Sequence, residues 1–272
     1  MKYIVDHDLH IHTCLSLCSG DPTQTPARIW QYAKERELST VCLTDHYWDE
    51  AIPGASEWYQ RSNFARIRES LSYMPPRGVN FLFGCETEMD KSLRLGISEK
   101  RLSYFDFIVI PTTHLHMEGF TIEAKDDAPA RRAELYVKRF DALLSMDLPF
   151  EKIGIAHLTC PLIDVKRGHL GVLNLIPDGV FHELFARVAK KGAGVELNFN
   201  ASAYVDEELE SELRPYRIAK EEGCRFYFGS DAHHPDKFAT AKANFIRIAS
   251  LLGLREEEKF TVKAGEHSPF AL

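Results

Sequence analysis

The chain has twelve histidines in 272 residues, and nine of them lie at or beside the ends of short apolar runs; only His169, His182 and His267 do not. The first run ends in Asp8-Leu9-His10-Ile11-His12, and the second in Thr44-Asp45-His46. The third ends in Gly84-Cys85-Glu86, and the fourth in Thr113-His114-Leu115-His116. The fifth ends in Ala156-His157, the sixth in Glu196-Leu197-Asn198, and the seventh in Ser230-Asp231-Ala232-His233-His234. In an extended strand, side chains alternate with a period of two, so His10 and His12 point the same way. Neutral imidazoles mixed with carboxylates suit Zn²⁺, Mn²⁺ or Fe²⁺, and argue against Ca²⁺ or Mg²⁺ alone. A lone His-x-His is a weak signal, but an ionisable ligand type at the end of all seven runs is not. The chemistry expected is that of a bound divalent transition-metal ion.

Such a site needs strands whose ends converge. The runs Tyr3–Leu9, Thr40–Thr44, Val79–Cys85, Phe105–Pro111, Lys152–Ala156, Gly194–Asn198 and Arg225–Gly229 read as strands. Several are almost continuously apolar, as parallel strands buried on both faces should be. Helical patterns alternate with them. Thr25-Pro26 starts one over Ala27–Glu37, a segment opened by Pro177-Asp178 closes at Gly192, and Pro235-Asp236 opens a last helix to about Leu252. These are cap and first-turn signals. Successive right-handed βαβ units build an α/β fold, here a (β/α)7 barrel. One barrel domain spans residues 1–272, with Lys259–Lys263 the weak candidate for an eighth strand. In such barrels the active site forms at the C-terminal ends of the strands.

Composition narrows the function. Hydrophobic residues at 44% and charged residues at 27% describe an ordinary globular chain with a sizeable core. The 33 Lys plus Arg against 40 Asp plus Glu leave a net charge of −7, a poor global field for nucleic acid. No apolar stretch reaches the ~18 residues of a membrane span, and MKYIVDHDLHIHT does not read as a secretory leader. The six scattered cysteines fit reduced thiols in the cytoplasm.

DLHIHT, LTDH, GCE, His114, His157 and GSDAH, in that order, resemble the polymerase-and-histidinol-phosphatase (PHP) family, across essentially the whole chain. The stretch between His114 and His157 looks like the histidinol-phosphatase branch. The resemblance implies a (β/α)7 barrel and a metal-dependent phosphoesterase acting on a small phosphate monoester, with a metal-bridging hydroxide as nucleophile. It implies one metal held by His10, His12, Glu86 and Asp231, and a second by Glu86, His114 and His157, with Glu86 as the bridge. A third would take His46 and His233. Relatives usually add a histidine six residues beyond His12, where this chain has Cys18. Cys18 is either a thiolate ligand or a buried hydrophobe beside a weak third site.

Asp231 and Glu86 are the expected catalytic residues, with His234 a candidate proton donor to the leaving group. Asp8 and Asp45, each beside a ligand, are expected to orient imidazoles, and Glu196 and Asn198 to support the site. Relatives grip phosphate with an arginine after a Glu-x-Asn motif, but here ELNFNASAYVDEEL offers no cation before Arg214. Arg167, then Arg131 and Arg132, are the candidate phosphate ligands. Two other readings compete. An amidohydrolase or TatD-like nuclease would want, respectively, a lysine on the fourth strand or an ending other than Asp231-Ala232-His233. A non-catalytic regulatory barrel would show a more eroded ligand set. The expected partner is a small phosphorylated metabolite.

Overall fold

Apolar alternation sorts each strand's side chains into two layers. In the computed structural model, which describes residues 1–262, the even-numbered Cys42 and Leu82 and the odd-numbered Phe107, Val109 and Tyr227 form one buried cluster with Leu9, Ala156 and Phe260. Their neighbours Val41, Phe81, Phe83, Ile108, Ile110, Phe226 and Phe228 belong to the larger cluster shared with the helices. The first set fills the barrel and the second joins barrel to helices, as two-sided burial of a parallel sheet requires. Gly154 lies in the inner set, where an added Cβ would run into Tyr227 and Phe107.

The strands are β1 (His7–Ile11), β2 (Thr40–Leu43), β3 (His46–Tyr47), β4 (Asn80–Thr87), β5 (Phe107–Pro111), β6 (Ile153–Ala156), β7 (Gly194–Leu197) and β8 (Arg225–Phe228). All pair in parallel in the order β1-β2-β4-β5-β6-β7-β8, with β3 resting on β4. Beyond the last strand, Asp231 N donates to His10 O at 2.8 Å and His12 N to Ala232 O at 3.1 Å, nearly closing the barrel between β8 and β1. The seven expected strands are therefore present, in a distorted TIM-like barrel.

The departures lie where the chain approaches the site. After Leu43 the second strand breaks at Thr44-Asp45 and resumes as β3, which places His46 in register with Glu86. The β1 register slips between Asp8 and Ile11. Leu9 packs with the inner cluster, while His10 and His12 also turn inward.

The helix Pro26–Glu35 starts at Thr25, whose hydroxyl accepts from Arg28 N, and the helix Asp178–Lys191 ends at Gly192 with φ +79°. The expected last helix is split: a 3₁₀ turn over Pro235–Ala239, a break at Thr240, then a helix over Ala241–Leu251. The candidate eighth strand makes one bridge, Lys259 to Phe226, and its last residue lies outside the described residues. Phe260 instead plugs the barrel floor beside Phe107 and Tyr227.

Candidate metal centre

Each strand end delivers a ligand type to one mouth of the barrel. The Nε2 atoms of His10 and His12 lie 3.1 Å apart. Glu86 Oε2 is 3.6 Å from the first and 3.4 Å from the second. Asp231 Oδ1 is 3.5 Å and 3.1 Å from the same two atoms. On the other side Glu86 Oε1 is 3.4 Å from His157 Nε2, and Glu86, His114 and His157 present ligand atoms all within 4.8 Å of one another. His12, His46 and His233 form a further cluster of the same kind, with His46 Nδ1 2.8 Å from Glu86 Oε2. Glu86 thus stands between three groups of imidazoles.

What these atoms lack is as informative as what they touch. Both carboxylate oxygens of Glu86, His46 Nδ1, His114 Nε2 and Asp231 Oδ1 are buried without a hydrogen-bond partner. They meet in charge contacts without a directed hydrogen bond; a buried polar atom left so costs about 1–3 kcal/mol, and here five converge on one place. A mixed N/O donor set of this shape fits transition-metal ions.

The opposite edges of the ligands are held firmly. His10 Nδ1 lies 2.6 Å from Glu196 Oε1, and the other Glu196 oxygen accepts from His157 N at 3.1 Å. His114 Nδ1 lies 2.8 Å from Glu88 Oε2. Glu88 Oε1 is in turn 2.8 Å from Arg139 Nη2, and that fully buried guanidinium also donates to Thr112 O, Met89 O and Asp90 O. His12 Nδ1 meets Ser16 Oγ at 2.9 Å, and Ser16 donates to Asp45 at 2.6 Å. The Asn198 carboxamide is 2.8 Å from His157 Nδ1. These contacts leave the inward nitrogens free for a metal and fix the rings' orientation. Gly229 permits one of them, since a Cβ there would strike Glu196 Oε1 and His10 Cβ.

Two candidate ligands also sit on strained backbone. His157 has φ +61° and Asp231 φ +50°, the left-handed region that non-glycine residues rarely enter. Each position costs on the order of 1–3 kcal/mol, a pattern concentrated at functional sites.

The electrostatics of the metal-free chain follow from burial. Desolvation alone would raise Glu86 and lower His10 and His46. Their mutual charges win. Glu86 is held well below the usual carboxylate range, chiefly by His46 and His10. His10 is lifted well above ordinary imidazole by Glu196 and Glu86, and His46 by Glu86. Protons therefore occupy the place of a cation and must leave when one binds. Burial pushes the Cys18 thiol up, but hydrogen bonds with His233 and His46 overcome it and bring it down to about 7.

Some expected roles fall elsewhere. Asp8 accepts from Tyr32 Oη and Ser230 N, clamping β1 to the end of β8, and orients no imidazole among the described residues. Asp45 reaches His12 only through Ser16. His234 is half-exposed, with Nε2 2.7 Å from Asp21 and Nδ1 accepting from Asp236 N. Arg131 pairs with Asp126 and Glu134, and buried Arg132 bonds Leu115 O and Ile163 O. Arg167 pairs with Asp164 and Asp127. None of the three lines the cavity at the centre. Glu88 and Arg139 were not anticipated, although Glu86-x-Glu88 repeats the spacing of His10-x-His12.

That cavity measures about 530 Å³. It is lined by His46, Glu86, His114, His157, Asp231, His233 and Cys18 on one side and by Trp58, Tyr59, Met117, Phe120 and Leu162 on the other.

The sequence and the barrel both have known counterparts. The PHP domain family matches residues 8–200, and the chain belongs to that family. The probable histidinol-phosphatase of Deinococcus radiodurans is 30% identical over 259 residues, which cover 88% of this chain and 91% of that protein. The solved histidinol phosphate phosphatase (HISK) of Lactococcus lactis, complexed with zinc, L-histidinol and phosphate, aligns with a TM-score of 0.59. It shares 15% identity over 95% of this chain and 98% of that one, a likeness of fold. The chain is a PHP-family phosphoesterase related to histidinol-phosphatases. Among the described residues no helix is long and apolar enough to cross a membrane.

Proposed function

We propose that this chain hydrolyses a small phosphate monoester in a metal-dependent reaction. The observation that carries the reading is the convergence of unpartnered Glu86, His114, His46 and Asp231 atoms on the floor of one cavity. His10, His12, Glu86 and Asp231 would hold one ion, and Glu86, His114 and His157 a second. His46 and His233, with Cys18 as third donor, would hold another. Bound metal supplies a nucleophilic water near neutral pH and positive charge for the phosphoryl oxygens.

The chain's own residues do the rest. Glu86 keeps the two principal positions adjacent. Of the two carboxylates among the candidate ligands Asp231 is the more open to the cavity, its side chain 32% exposed against 1% for Glu86, so it is placed to take a proton. Trp58, Tyr59, Met117 and Phe120 exclude water and offer an apolar, aromatic surface to the alcohol portion, with Glu118 at the edge available to an amine. Histidinol phosphate, named for the relatives, meets that description and is the first ester to test.

The test is steady-state hydrolysis of an aryl phosphate and of histidinol phosphate by protein reloaded with Zn²⁺ or Mn²⁺. Turnover that is lost in Glu86→Ala, with the circular dichroism spectrum intact, supports the reading. Wild-type rates in Glu86→Ala, or metal content of one equivalent or less at saturation, overturn it.

A further inference from the structure

The apolar cavity poses a problem for a phosphatase: among the described residues no Lys or Arg lines it. Arg131, Arg132 and Arg167 are committed to carboxylates or backbone carbonyls. The metal centre has a second side, however. Another cavity, of about 290 Å³, shares His157, Leu162 and Asp231 with the first and is lined by Thr159, Asn198, Asn200, Tyr204 and Lys237. Lys237 is its one cation, and Asp231 its one carboxylate, among the described residues. The lysine ammonium makes no hydrogen bond or ion pair among those residues.

Lys237 is also carried by a fixed piece of chain. It lies six residues past Asp231, on the 3₁₀ turn Pro235–Ala239. His234 anchors that turn, accepting from Asp236 N through Nδ1 and reaching Asp21 through Nε2. Phe238, buried against Tyr32 with ring centroids 4.1 Å apart, holds it from below. A free ammonium on an anchored turn, opening onto a cavity floored by Asp231 and His157, is suited to a multiply charged anion at the metal centre. Lysine serves there as a mobile point charge with three donors.

We propose that Lys237 binds the phosphoryl group of the substrate from this polar cavity, in the role the relatives give to an arginine on another loop. The ester then lies across the centre, its non-bridging oxygens toward Lys237 and its alcohol portion among Trp58, Tyr59 and Phe120. This inference rests on the phosphatase reading for its substrate, but its test does not depend on turnover.

Inorganic phosphate is titrated calorimetrically into metal-loaded wild type, Lys237→Ala and Lys237→Arg, with metal content and melting temperature measured on each. A charged hydrogen bond of this kind is worth roughly a ten-fold or greater loss in phosphate affinity in Lys237→Ala. Metal stoichiometry and melting should be unchanged, and Lys237→Arg should recover most of the affinity. Where an ester is turned over, KM should rise by a similar factor with a smaller change in kcat. Equal phosphate affinity in wild type and Lys237→Ala, or loss of metal along with phosphate, overturns the assignment. If no phosphate ester is turned over while phosphate binding still depends on Lys237, the phosphatase reading fails and the anion site stands.

Discussion

At the N-terminal end of the barrel, His7 is buried with both ring nitrogens engaged. Nδ1 lies 3.1 Å from Asp6 Oδ1, and Nε2 accepts from Phe228 N at 3.0 Å. Asp6 is shared with Lys259 at 3.1 Å. At the C-terminal end His114 is equally buried, with Nδ1 held by Glu88 and Nε2 facing a cavity without a partner. The residue types are the same. The difference is whether the last polar atom is satisfied. At the lower end every group named here has a partner and its work is cohesion, with desolvation lowering His7 in spite of Asp6, so that it stays neutral. At the upper end the polar atoms are supported from behind and left bare in front, an arrangement that awaits a cation.

Four experiments would break or sharpen that contrast. The largest effect is expected from Glu86→Ala, which removes the carboxylate that reaches His10, His12, His46 and His157. Ester hydrolysis should fall by at least about a thousand-fold, ~4 kcal/mol in the barrier, and elemental analysis should find less than two equivalents of metal. Retention of two equivalents would show that the bare carboxylate is not a bridge.

Next comes Arg139→Met. It strands Glu88 in the interior, and breaking a buried pair in this way costs about 3–5 kcal/mol. Chemical denaturation should show the loss. The double variant Arg139→Met/Glu88→Gln should recover part of it, because no unpaired charge is then left behind. Failure of the second change to help would mean that the guanidinium acts through its carbonyl contacts alone.

Glu196→Gln is expected to be milder. The amide keeps the shape but gives up the charge that orients His10, so metal affinity should drop by about 10–100-fold, as read by competition with a chelating dye. An unchanged affinity would place Glu196 among the purely structural groups of the lower end.

The smallest effect belongs to Asp6. Burial pushes its carboxyl up, but hydrogen bonds from His7 and Lys259 overcome this and hold it at about 2, below its ordinary 3.8. A depressed carboxylate stabilises the fold above its unfolded pKa, and that contribution disappears as pH falls through the folded value. Asp6 is about one-third exposed, so solvent screening leaves about 1 kcal/mol. Asp6→Asn should therefore unfold about 1 kcal/mol more easily than wild type at pH 7, and the gap should close between about pH 4 and pH 2. Bound metal should be unaffected. Metal loss in this variant would erase the distinction between the two ends.

Much of the site was legible because the relevant signals are local. A strand imposes a period of two, so His10 and His12, and equally Glu86 and Glu88, share a face by spacing alone; Glu88 could have been found on the same ground as the histidines. Parallel βαβ connection then brings the strand ends together, which is why residues from Asp8 to Asp231 could be grouped without coordinates. Apolar runs announced the seven strands for the same reason. The signals that misled were local as well. Pro235-Asp236 is a sound helix start, yet the chain spends it on a 3₁₀ turn that Thr240 interrupts. Lys259–Lys263 has strand-like residues, but Phe260 finds more burial as a plug among Phe107 and Tyr227 than as part of an edge.

What the sequence by itself determined is the set of strands, their order along the chain, and the ligand types at their ends, because backbone alternation and burial act on neighbouring residues. The tertiary structure alone decided which polar atoms are paired. That Arg167 is spent on Asp164 and Asp127, that Arg139 lies behind Glu88, that His7 is satisfied while His114 is not, and that Lys237 lines one cavity with Asp231 and His157 all depend on distances between segments far apart in the chain. Spacing rules do not reach across such distances, and hydrogen bonds and ion pairs act only over a few ångströms.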